Sequence, residues 1–232
     1  MTDLLTPAEW AAVALSVKVS IWATLLSLPF GVAAAWLLSR RQFWGWQLFN
    51  AVVHLPLVLP PVVTGYLLLL GFGRHGVFGG FLEQHFGLVL AFRWTGAVLA
   101  AAVMAFPLMV RAIRLGFDAV DRELEDTAAT LGASPVMVFV TVTLPLILPS
   151  LIAGAVLAFA KAMGEFGATI TFVANIPGQT QTLPTAIYGL LQVPGGDPAA
   201  FRLVWISIVI AVGALVASEV LARRVQRRLG VG

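Results

Sequence analysis

Two short stretches of this 232-residue chain hold the residue types from which chemistry could be built. In AKAMGEFGATITF (160–172), Lys161 and Glu165 stand four residues apart, so a helix presents both on one face. They follow an apolar run long enough to span a membrane, where ionisable groups are costly and face a cavity or a partner. Gly164 and Gly167 flank Glu165 and Phe166, and Thr169 follows. Two readings stay open. The pair can snorkel its charges to the outer boundary, or Lys161, Gly164, Glu165, Phe166, Gly167 and Thr169 can form a gate or hinge on a translocation path.

The second stretch, ELEDTAATLGAS (123–134), is the most acidic patch in the chain. Val120, Leu124, Ala128 and Leu131 recur at steps of three and four, the spacing of an amphipathic helix. Asp118 or Asp121 can cap its start, and Glu123, Glu125 and Asp126 suit the positive end of the dipole. Gly132 ends it, and Ser134-Pro135 opens the next helix. A helix lying on lipid wants lysine and arginine on its polar face. This one offers acids and Arg122, so a protein partner is favoured, with a solvated connector as the plainer alternative.

Other chemistries lack their parts. The chain has no cysteine, which removes disulfides, thiolate-bound metals and a cysteine nucleophile. His54, His75 and His85 have no metal-ligand spacing and are read as structural. No serine–histidine or paired-aspartate arrangement suggests an intramembrane enzyme. Neither a cofactor nor a metal is expected.

The elements that must position these stretches follow from composition. Hydrophobic residues make up 59% and charged residues only 11%, against about a quarter charged in soluble domains. The chain therefore reads as an all-α, multi-pass integral membrane protein embedded in lipid, and no continuous basic stripe suits nucleic acid. MTDLLTPAEW carries acids and no base, the wrong start for a signal peptide, so the first apolar segment is expected to stay as an anchor.

About 20 apolar residues cross a bilayer. Five segments qualify: Ala11–Leu38, Leu48–Phe72, Thr95–Leu115, Pro135–Ala160 and Leu203–Ala222. Arginines cluster at Arg40/Arg41, at Arg111/Arg114/Arg122 and at Arg223/Arg224/Arg227/Arg228, nine of the 14 basic residues. The positive-inside rule puts all three clusters in the cytoplasm. Parity then gives five spans, an outer N-terminus and a cytoplasmic C-terminus, with a sixth span possible but unsupported by the arginines. The proline-cut segment at about 164–200 folds back on the outer side or dips partway in. Prolines inside the second, third and fourth spans (among them Pro107, Pro145 and Pro149) should kink them. The runs GVAAAW and AAAVMA allow close helix packing.

EDTAATLGASPVMVFVTVTLP resembles the cytoplasmic loop of ABC-importer permeases, whose pattern is Glu-Ala-Ala, three residues, Gly, nine residues, Ile, one residue, Leu-Pro. Asp126 stands at the glutamate, Thr127 and Ala128 at the alanines, Gly132 at the glycine, Val142 at the isoleucine and Leu144-Pro145 at the close. HLPLVLPPVVTGYLLL, AAAVMAFPLMVRAIR and LAFAKAMGEFGATITFVANIPGQTQTLPTAIY extend the similarity over nearly the whole chain, to molybdate-transporter permeases of the type I importer class. The GEFGAT and NIPG elements are shared with sulfate and thiosulfate permeases.

The resemblance implies a single permease domain over 1–232, acting as a homodimer in the cell's inner membrane. Two ATPase subunits would sit on its cytoplasmic side and a molybdate-binding protein outside. Residues at about 118–133 would form the coupling helix, with Glu125, Asp126, Thr127, Ala128, Leu131 and Gly132 meeting the ATPase. Alternating access would then import molybdate, with tungstate or sulfate as the next anions. The chain itself is not an enzyme: Lys18 and Lys161, its only lysines, are followed by Val and Ala, not the Ser or Thr of a phosphate loop. An ATP-independent channel or carrier is the remote alternative, but no inverted repeat is visible.

Overall fold

Thr6 opens the first helix by accepting the amide of Glu9, whose carboxylate accepts the amide of Thr6 in return (3.3 and 2.6 Å). This capping box, with Pro7 next, satisfies donors that the first turn leaves free. The computed structural model describes residues 5–229, without the side chains at 222, 223 and 225–229. Helix α1 runs Pro7–Arg40, 34 residues, or about 51 Å at the usual rise.

Helices α2 (Trp46–Val58) and α3 (Pro61–Phe72) meet at a bend of 115°. Leu48–Phe72, expected to be one kinked span, is broken into two helices between Val58 and Pro61. A residue before proline is pushed out of the α region, and Leu59 and Pro60 each precede a proline. Both are extended, at ψ 141° and 135°. A short α4 (Val77–Phe86) leads to α5 (Trp94–Ala119), which continues to Ala119 and takes up Phe117 and Asp118. The insert helix α6 therefore covers only Arg122–Thr130, less than the expected 118–133.

The next span runs Pro135–Met163 in three parts: α7 (Pro135–Val138), a π-helical turn (Phe139–Thr143) and α8 (Leu144–Met163). In the π turn the amide of Leu144 reaches back five residues to the Phe139 carbonyl. Pro145 is the cause we assign: it lacks an N–H, and its ring would strike the carbonyl four residues back in a regular helix. Short helices α9 (Gly167–Phe172) and α10 (Leu183–Leu191) follow, then α11 (Asp197–Leu229). Every regular element among the described residues is helical.

Side-chain contacts set the helix directions. Lys18 sits over the Trp94 ring at 3.7 Å, and Ser39 donates to Asp118 at 2.5 Å, so α1 and α5 run parallel. Gly116 lies against Ser150 and Gly154 against Ile113, so α8 runs the other way. Arg202 pairs with Glu9 at 2.7 Å, which sets the start of α11 beside the start of α1. Because α1 and α5 are parallel, the chain between them returns to its starting end, and α2 and α3 make that return in two pieces. Among the described residues four helices are long and apolar enough to span alone, and the bent pair counts as a fifth only when taken as one broken span.

The directions bring Arg40, Arg41, Arg111, Arg114, Arg122 and Arg224 toward one end; the side chains of Arg223, Arg227 and Arg228 lie outside the described residues. Small residues line the centre. Ala34 and Ala35 of α1 pack with Ala105 and Met109 of α5, while Ala97, Ala100 and Ala101 form a second cluster with Phe172.

Candidate functional site

At the arginine-rich end, Asp121 caps α6 by accepting the amide of Glu123 at 3.0 Å. Gly132 follows the last turn with φ +91°, a left-handed conformation that costs a residue with a Cβ. Its amide bonds the Ala129 carbonyl, and that of Ala133 bonds Ala128. Ser134 then caps the next helix through Met137 (3.3 Å), with Pro135 in its first turn. Two helix ends thus meet within five residues.

No residue of α6 is buried. Leu124 is 50% exposed and Leu131 85%, and Val136 and Met137 just beyond are exposed as well. Asp126 and Thr127 are also exposed, while Ala128 is half-buried. Val120, expected on the same stripe, turns inward and packs with Phe117, Ile113 and Ile147. The rest of the stripe is apolar surface that its own chain does not cover.

Glu125 points the other way. Its Oε1 accepts from the Thr143 hydroxyl at 2.6 Å and from Arg40 Nη2 at 3.3 Å. The same Nη2 lies 3.3 Å from the Val120 carbonyl. Arg122 reaches the Ser39 carbonyl at 3.4 Å, and Arg114 pairs with Asp118 at 3.5 Å. The insert is thereby tied to the ends of α1 and α5 and to the π turn below α8.

The second predicted cluster lies at the opposite end. Lys161 Nζ meets Glu165 Oε2 at 3.0 Å, and Glu165 Oε1 accepts the amide of Ala168 at 3.0 Å. Glu165 is 3% exposed, so its carboxylate is held inside the protein and does not snorkel. It closes the ion pair at the end of α8 and caps α9 at once. Phe166 packs on Tyr188, ring centres 5.1 Å apart. Gly167 lets α9 press on α3, since a Cβ there would sit 2.6 Å from that of Pro61. Gly65 of α3 does the same against the Ala168 carbonyl, also 2.6 Å away. Gly164 has room for a Cβ, its nearest neighbour being 3.9 Å off. Thr169 is buried.

The family described as "binding-protein-dependent transport system inner membrane component" matches residues 27–230. The chain belongs to this family. Among its relatives is the molybdenum transport system permease protein of Escherichia coli, 60% identical over 227 residues, covering 98% of this chain and 99% of that one. The corresponding permease of Haemophilus influenzae is 53% identical over 224 residues, covering 97% and 98%. A solved bacterial ABC transporter involved in alginate import is similar in fold, with a TM-score of 0.74 at 17% identity, over 95% of this chain and 80% of that one.

As a multi-pass membrane component of a transport system, the chain carries its two predicted clusters at opposite ends of one bundle. The α6 residues and the Lys161–Glu165 group do not meet. Arg40 and Thr143, partners of Glu125, were missed in the sequence. Thr143 lies inside the spacing of the loop pattern, which is a signal of position but not of partner. Glu9 and Arg202 were also missed, although Thr6-x-x-Glu9 is legible as a capping box. Among the described residues no group of three His, Cys, Asp or Glu is placed to hold a metal ion.

Proposed function

We propose that the chain is the transmembrane subunit of an ATP-driven importer that moves molybdate across the cytoplasmic membrane by alternating access. It works as a homodimer. The arginine-rich end faces the cytoplasm, so the N-terminus lies outside and the C-terminus inside. The single domain presents α6 there to a separate ATPase subunit, one per permease. The segment at about 164–200 meets the extracytoplasmic side, where a molybdate-loaded binding protein delivers its anion. Lys161, Glu165 and Phe166, with Gly164, Gly167 and Thr169, belong to the gate on that path.

The observation that carries this reading is the disposition of α6. A helix fastened underneath by Glu125 leaves Leu124, Asp126, Thr127 and Leu131 uncovered. An apolar stripe among acids on the basic side of a membrane protein suits a protein groove better than anionic lipid. Molybdate is favoured by the near-full-length likeness to molybdenum permeases.

ATPase stimulation of the reconstituted complex by its binding protein, loaded in turn with molybdate, tungstate and sulfate, tests the assignment. Molybdate is expected to stimulate most. A response to sulfate alone would reassign the anion. Uptake that persists without an ATPase would overturn the importer reading itself.

A further inference from the structure

We propose that Glu125 is a transmission residue, acting inside the permease and not at the ATPase contact: it ties α6 to the moving bases of α1 and α8. The proposal rests on the importer reading above and deepens it.

The geometry separates Glu125 from its neighbours on α6. Asp126 and Thr127 are exposed, whereas the side chain of Glu125 is 22% exposed and directed at its own chain. One carboxylate oxygen gathers two donors from different elements, Thr143 of the π turn and Arg40 at the end of α1. The Thr143 hydroxyl is buried, and the Arg40 side chain is 10% exposed. The Thr143–Glu125 bond, at 2.6 Å, is of the short charge-assisted kind; the Arg40 contact, at 3.3 Å, is a longer ion pair that its shielding protects from screening.

What Glu125 grips gives the contact its mechanical sense. The π turn is the point where the ladder of α8 is already widened around Pro145, and such turns absorb changes of direction that a regular helix resists. Without a tie across it, a push on α6 would be taken up in that turn. The Thr143–Glu125 bond bridges it, so α6 displaces the start of α8 directly. Arg40 passes the same displacement to α1, which packs along α5 by its small residues. Glu125 is thus a positioning residue, and Arg40 and Thr143 are its two outputs.

The test compares wild type, Thr143→Val, Thr143→Ser, Glu125→Gln and the Thr143→Val/Glu125→Gln double variant. Each is reconstituted with ATPase and binding protein, and anion uptake per ATP hydrolysed is measured. Thr143→Val keeps shape and loses the hydroxyl, and its thermal midpoint in detergent reports folding separately. ATPase is expected to co-purify with every variant as with wild type, and Thr143→Val to leave turnover without binding protein unchanged. Uptake per ATP should fall about tenfold in Thr143→Val and in Glu125→Gln. Thr143→Ser should restore it to within twofold of wild type. The double variant should be no worse than the poorer single one, because both act through one bond.

The proposal is overturned if uptake per ATP stays within twofold of wild type in both single variants, or if their losses multiply. It is also overturned if Glu125→Gln releases the ATPase, since that assigns the residue to the docking face. A wild-type complex that couples no ATP to uptake would sink the importer reading instead, a result visible before any variant is made.

Discussion

Arg202 donates to the buried carboxylate of Glu9 at 2.7 Å, joining the second turn of α11 to the first turn of α1 across 193 residues of sequence. That contact places the start of α11 beside the start of α1. Beside it, the amide of Leu183 donates to the Ser16 hydroxyl at 2.6 Å, which fastens α10 to the same end. Of the broken segment after Glu165, α10 is therefore folded onto α1 and α11, while α9 packs on α3 and α5. Arg40 and Arg41 at the end of α1, Arg111 and Arg114 of α5 and Arg224 of α11 lie toward the far end, where α6 lies.

Replacing Gly132 by valine should disturb the end of α6, since φ +91° costs a residue with a Cβ about 1–2 kcal/mol and a β-branched one more. Gly132→Asn should be milder, because asparagine tolerates that conformation. The expected signature is ATP hydrolysis that continues while uptake drops severalfold. Wild-type uptake by Gly132→Val would show that the helix end has no role in coupling.

Glycines 164 and 167 should behave oppositely. With only ordinary contacts awaiting a Cβ (3.9 Å to the Ala160 carbonyl) and φ −92°, Gly164→Ala should be neutral or stabilise by up to about 1 kcal/mol. Gly167→Ala places a Cβ 2.6 Å from Pro61 and should cost about 1–3 kcal/mol by overpacking the α3–α9 contact. Thermal unfolding in detergent ranks the two. Equal effects would mean that α3 and α9 do not press together at this point.

Removing the carboxylate in Glu165→Ala leaves the Ala168 amide and Lys161 without their acceptor. The unsatisfied buried amide alone should cost about 1–3 kcal/mol. Glu165→Gln keeps an acceptor for the cap and should cost clearly less. Lys161→Met should cost less than Glu165→Ala, since the buried Glu165 carboxylate loses its counter-charge but keeps its bond to the Ala168 amide. Unfolding midpoints of the three variants give the order, and a Lys161→Met penalty above that of Glu165→Ala would contradict it.

Leu131 is 85% exposed, so Leu131→Asp should change the permease's own stability by no more than about 0.5 kcal/mol. If α6 docks through its apolar stripe, ATPase recovered in a pull-down should fall about tenfold, equivalent to about 1.4 kcal/mol. Full recovery would move the docking surface elsewhere.

Much of this molecule is legible along the chain because lipid imposes rules that act locally. Runs of about 20 apolar residues mark spans, and Gly132 and Ser134-Pro135 punctuate helices through their own backbone preferences. The Pro60-Pro61 break was legible as a proline effect but not in size, since two successive residues forced out of the α region turn the chain by 115°, not by a kink.

What the sequence could not declare are the partners of its charges. Glu125 sits among acids that look alike along the helix, yet it turns inward because Thr143 and Arg40, 18 and 85 residues away, arrive beneath it. Glu165 reads as a charge at a membrane boundary until α9 brings the Ala168 amide onto it. Local chemistry determined where the helices start, stop and cross. Only the packing of distant segments decided which polar groups lie inside, because a buried charge takes its role from whatever satisfies it.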